Sequence, residues 1–130
     1  MEILIQVSSG YWDNIVPGLI MASKFKSEGK DVAVRFEWRA LIAFAEKKYK
    51  FSPLAEKYAH VIEENAKKMG LPIDPMEYLK GAKAAGVPLY GCGIEASLAG
   101  ITDKLPPEIH LISDDLTKIF LDAKKIISGF

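Results

Sequence analysis

Cys92 is the only cysteine in the 130-residue chain, so an intramolecular disulfide and every multi-cysteine zinc or iron–sulfur pattern are excluded. Any thiol chemistry rests on one sulfur. That sulfur stands between Gly91 and Gly93, after the apolar Val87-Pro88-Leu89-Tyr90 and before the helix-forming Ile94 to Leu98. In a strand-to-helix turn the first helical N–H groups point at the side chain, and their dipoles favour a thiolate. From an ordinary thiol pKa of about 8.5, a fall of ~1.5 units makes roughly half of the sulfur nucleophilic at neutral pH. Gly91 and Gly93 permit an unusual backbone path and the close approach of a second molecule. Glu95, three residues on, is placed to accept a capping hydrogen bond from the Cys92 N–H, while its charge opposes a thiolate. Against activation stands the ordinary fate of a free cysteine, which is to be packed as a small hydrophobe. The residues alone leave both readings open.

Two further groups carry possible chemistry. Ser8-Ser9-Gly10 follows an apolar run and offers backbone donors for an anion, although it lacks the spaced glycines of a dinucleotide or Walker loop. Arg39, in Glu37-Trp38-Arg39, has a guanidinium suited to bidentate capture of a thiosulfate-like anion, with a surface ion pair as the plainer alternative. His60 and His110 are too far apart in sequence to form a local ligand pair, and no metal site is expected. Lys47, Lys48, Lys50, Lys57, Lys67 and Lys68 are interspersed with glutamates, the pattern of a solvated helix more than of a docking face.

The elements that must position these groups alternate. Ile3 to Val7 reads as a strand; a helix follows over about Asn14 to Glu28, with Asp13 as N-cap and Gly29 as C′ residue. Val32 to Glu37 forms a second strand, and a helix begins near Trp38. Ser52, as N-cap before Pro53, starts a surface helix running to Met69, and Asp74-Pro75 a shorter one to Ala85 that Gly86 ends. Val87 to Tyr90 makes the third strand and Ile109 to Ile112 the fourth. Asp114 to Ala123 makes a helix and Lys125 to Ser128 a final strand. The alternation predicts a three-layer α/β/α fold with a largely parallel sheet of about five strands, covered on both faces. Ligands of such sheets gather at the carboxyl ends of strands, where Ser8 to Trp12 and Cys92 both belong.

Composition narrows the function. Seventeen basic and seventeen acidic residues give zero net charge, without the basic field of a nucleic-acid binder. A single domain over 1–130 is expected, with a lysine-rich helical insert at about 47–71. The apolar stretch Ile15 to Ala22 is too short to span a bilayer, and Met1-Glu2-Ile3-Leu4-Ile5 has no secretory pattern, so a cytoplasmic location away from membranes is the expectation.

The chain resembles the DsrE/DsrF-like family, which includes the TusD-type sulfur-relay proteins. Ile3 to Gly10 is similar to the family's first strand and loop, and Gly86 to Cys92 to its third strand and cysteine loop. Cys92, Ala96, Gly100 and Ile101 match the cysteine, alanine, glycine and aliphatic positions of sulfur-carrying members. Leu121 to Ser128 resembles the last helix and edge strand. The chain departs from the pattern at Leu98-Ala99, where sulfur-carrying members often have basic side chains, and in its longer 47–71 segment. The resemblance implies a homo-oligomer, a trimer or hexamer, in which Cys92 takes sulfane sulfur from a donor protein as a persulfide or thiosulfonate. It then passes that sulfur to an acceptor protein, with no cofactor. Ser8, Ser9, Gly10, Arg39, Gly91, Gly93 and Glu95 are the candidate supporting residues. The alternative is a non-catalytic oligomeric scaffold or small-ligand-binding protein with a packed cysteine.

Overall fold

The structure, a computed structural model, describes residues 1–113 and 116–130. Its elements are β1 (Ile3–Val7), α1 (Trp12–Ser27), β2 (Val32–Phe36), α2 (Trp38–Glu46), α3 (Pro53–Glu56), α4 (Ala59–Lys68), α5 (Pro75–Ala84), β3 (Leu89–Cys92), α6 (Gly93–Leu98), β4 (His110–Ile112), α7 (Leu116–Asp122) and β5 (Lys125–Ile127), with a 3-10 turn at Thr102–Lys104. All five strands are parallel, in the order β4-β3-β2-β1-β5. The anticipated α/β/α architecture is the observed one.

The two faces of the sheet are unequal, and the strand order explains why. From β1 through β2 and β3 to β4 the chain steps three times in one direction, and right-handed crossovers place all the intervening helices on one side. Only the return from β4 to β5 crosses the other side, and among the described residues α7 is its one helix. The core follows. Ile3, Ile5, Val7, Val32, Val34, Phe36 and Leu89 alternate onto the first face and pack against Ile15 and Leu19 of α1, Leu41 and Phe44 of α2, and Leu79 of α5. Phe36 and Phe44 meet edge to face at 5.3 Å. Strand alternation puts Leu4, Gln6, Arg35, Tyr90 and Cys92 on the thinly covered second face.

Several boundaries differ from the sequence reading for local reasons. Helix α1 begins at Trp12, capped by Tyr11 in extended conformation, so Asp13 is not its N-cap. Asp13 instead accepts hydrogen bonds from Ser52 N, at 2.8 Å, and from Ser52 Oγ. That occupies the hydroxyl expected to cap the following helix, and Ser52 makes no side-chain cap. The helix expected over Pro53 to Met69 is divided at Lys57 and Tyr58. Leu54 and Tyr58 are exposed and Ala66 is the one buried residue of α4, so little packing holds a continuous helix. Asp74 does cap α5, accepting from Met76 N at 2.9 Å. The helix anticipated over Asp114 to Ala123 is seen from Leu116; Asp114 and Asp115 lie outside the described residues.

Gly10 shows how tightly the β1–α1 loop is set against α2. A Cβ there would stand 2.8 Å from the Arg39 carbonyl oxygen, a backbone atom that cannot rotate away. Gly10→Ala is expected to lower stability by about 1–3 kcal/mol, read as a lower urea midpoint. Asp13 supplies a pH test. Burial alone would raise its pKa, but the two Ser52 hydrogen bonds and one from its own backbone N–H together outweigh that and hold the carboxyl below its ordinary 3.8. Its contribution to stability is therefore present above the unfolded-state value and lost as pH falls through the folded one. Urea midpoints of Asp13→Asn are expected to fall below those of the unmodified chain near neutral pH and to converge with them in acid.

Candidate functional site

Cys92 is the last residue of β3 and the N-cap residue of α6, with φ −78° and ψ 111°. The strand begins and ends two residues later than the sequence suggested. Pro88 has no N–H for the ladder; its carbonyl accepts from Val34 N at 3.0 Å, and pairing starts at Leu89 opposite Val34. The side chain of Cys92 makes no capping hydrogen bond, and the free thiol is 4% exposed.

The glycines beside it serve the fold's own packing. A Cβ on Gly91 would stand 3.0 Å from side chains of Leu41, Ile109 and Leu111, and one on Gly93 would stand 3.1 Å from the Ile112 carbonyl oxygen. Neither glycine has positive φ. The close approach expected of a second molecule is thus made by α2 and the end of β4.

Glu95 does not form a capping box with Cys92. Its Oε1 accepts from Trp38 N at 2.8 Å, and its Oε2 stands 3.9 Å from Arg35 Nη2. Trp38 is one of two non-glycine residues with positive φ among those described, at 28°, a conformation that costs on the order of 1–3 kcal/mol. The Glu95 carboxylate on the N–H of Trp38 ties α2 to the cysteine turn at that strained residue.

Arg35 is the residue that sequence reasoning passed over. It lies mid-strand in β2, opposite Tyr90 and therefore on the same sheet face as Cys92 two residues further along. It is 5% exposed, the one buried charged residue identified among those described. Its Nη1 is 2.7 Å from Glu37 Oε1, and its guanidinium carbon lies 5.0 Å from the centre of the Phe120 ring of α7. Nη1 is close to the carboxylate but out of hydrogen-bonding alignment, and Nε also has no hydrogen-bond partner. Glu37 Oε1 further accepts from Gln6 Nε2 and, at 3.3 Å, from Ser8 Oγ. One guanidinium thus faces two carboxylates at the carboxyl edge of the sheet, beside Cys92. A single charge inside the apolar run Val32 to Phe36 was the available signal.

The remaining candidates are divided. Ser8 joins this cluster through its hydroxyl, but the backbone donors expected to cradle an anion are taken: Ser8 N and Ser9 N donate to the Phe130 carbonyl at 2.9 and 3.3 Å. Ser9 Oγ donates to Asn14 Oδ1 and accepts from Tyr11 N, both at 3.0 Å. Arg39 is exposed and lines, with Gly10, Tyr11, Ile42 and Glu46, a cleft of about 350 Å³ that does not include Cys92. Arg35, not Arg39, is the arginine on the sulfur's face. Removing its charge leaves Glu37 and Glu95 facing one another, and Arg35→Leu is expected to cost about 3–5 kcal/mol in urea denaturation.

No protein-family model matches the chain, and no curated protein matches it in sequence. Among solved structures, the crystal structure of the ychN protein from E. coli superposes with a TM-score of 0.68 over 99% of each chain, at 16% sequence identity. Among the described residues no helix is long and apolar enough to cross a membrane. The five-stranded parallel sheet, its helices and this end-to-end correspondence give the chain the DsrE-like fold.

Proposed function

We propose that the protein is a sulfur carrier in cytoplasmic sulfur metabolism, with Cys92 as the sulfur-bearing nucleophile. The observation that carries this reading is the position of the sole cysteine. It lies at the carboxyl end of β3 in a DsrE-like sheet, on the face that also holds the buried Arg35 with its partly buried carboxylates Glu37 and Glu95. The thiolate attacks the outer sulfur of a donor persulfide. The bond from Sγ to that sulfur forms, the donor's S–S bond breaks, and the donor leaves as a thiolate. An acceptor thiolate then repeats the attack on the outer sulfur and releases Cys92. No metal or organic cofactor enters the cycle. Donor and acceptor are proteins in this reading, and exposed Trp38, Ile94 and Leu98 beside the cysteine turn offer them apolar contact. Assembly into trimers or hexamers accords with the sparse cover of the second sheet face.

A second reading is favoured by one observation: at 4% exposure Cys92 is packed, as in an oligomeric scaffold that keeps the fold without the chemistry. Intact-protein mass spectrometry separates the two. Unmodified protein and Cys92→Ser are incubated with thiosulfate, tetrathionate or polysulfide, and excess donor is removed. A carrier gains a sulfur-containing adduct on the cysteine form alone, reversed by a reducing thiol. A thiol that reacts with these donors and with iodoacetamide only after unfolding overturns the carrier reading.

A further inference from the structure

We infer that Arg35 is the hydrogen-bond donor that holds the outer sulfur of a Cys92 persulfide, an assignment that rests on the carrier reading. The register of the sheet brings the two residues together. Phe36 pairs with Gly91, so Glu37 and Cys92 are the next positions along strands that lie about 4.8 Å apart. From mid-strand the Arg35 side chain reaches Glu37, on its own strand, and Glu95, three residues beyond the cysteine. The guanidinium therefore sits at the level of Cys92 on the same face. Its Nε N–H is buried without a hydrogen-bond partner, and Nη1, ion-paired to Glu37 at 2.7 Å, is out of hydrogen-bonding alignment, so the reduced protein leaves guanidinium donors unused. A thiol is a weak acceptor. A persulfide places a charged sulfur about 2.05 Å beyond Sγ, where a guanidinium donor makes a charge-assisted bond.

The carboxylates set the sign of the neighbouring effects. Glu37 and Glu95 compete for the guanidinium and repel the perthiolate, so the cluster retains sulfur through Arg35 and releases it through the glutamates. The reaction with inorganic polysulfide balances without an oxidant. Cys92 thiolate takes the terminal sulfur, the adjoining S–S bond breaks, and a polysulfide shorter by one sulfur leaves with the electron pair and both negative charges. In the reverse direction glutathione thiolate takes the outer sulfur as glutathione persulfide, and Cys92 leaves as thiolate.

The test is the equilibrium partition of that sulfur between Cys92 and glutathione. Polysulfide-loaded protein is desalted, equilibrated with glutathione and read by intact mass. Arg35→Lys, which keeps the charge but loses the planar fork, is expected to shift the partition about tenfold toward glutathione. Glu95→Gln is expected to shift it toward the protein. A purely structural role for the cluster would lower retention in both variants, so shifts of the same sign, or none, overturn the assignment. If Arg35→Lys fails to give a cooperative thermal melt, Glu95→Gln decides alone, and unchanged retention overturns the assignment. Unmodified protein that takes up no sulfur overturns the carrier reading itself.

Discussion

A guanidinium buried in a parallel sheet is costly to desolvate, and several features of this protein are arranged around that cost. Arg35 occupies a position where β strands normally carry aliphatic side chains. It is tolerated because Glu37 follows it on the same face, Glu95 arrives from α6, and Phe120 covers its plane from α7. The same contacts join four elements, since Glu95 also fixes the first N–H of α2. The cysteine turn is thus held by a charged network on one side of the sheet and by close-packed glycines on the other.

The asymmetry of the faces follows from handed crossovers. Three forward steps bury the first face under helices contributed by most of the chain, whereas among the described residues one short helix accompanies the single return step. A conventional aliphatic core accounts for the first face. The second is more polar and is where chemistry has room, because Gln6, Arg35 and Cys92 all alternate onto it.

Most of this architecture was legible in the sequence because it rests on local signals. Ile3–Val7 was bounded by charge and turn residues, Gly29 and Gly86 marked helix ends and adopt positive φ, and Asp74-Pro75 announced α5. What escaped depended on partners distant in the chain. Asp13 and Ser52 were each read as a helix cap for its own neighbourhood, yet they bond to one another across 39 residues. Glu95 was read against Cys92 three residues away but is engaged by Trp38 and Arg35. Arg39, just past the strand end, stands out in the sequence, while Arg35 inside the strand carries no local signal of its role. Alternation would have placed Arg35 on the face of Cys92 only once the register of β2 and β3 was known.

The contacts around the start of α1 have an entropic consequence. Trp12 N donates to the Lys50 carbonyl, Asp13 holds Ser52, and the Trp12 indole donates to the Ile73 carbonyl at 2.6 Å. Both ends of the 50–73 stretch are therefore fastened to two adjacent residues, and the chain between them is a closed loop. Because closure entropy grows only logarithmically with loop length, helices can be added or lost between those anchors at small cost. With Ala66 the one buried side chain of α3 and α4 together, opening of that segment would give up little of the core.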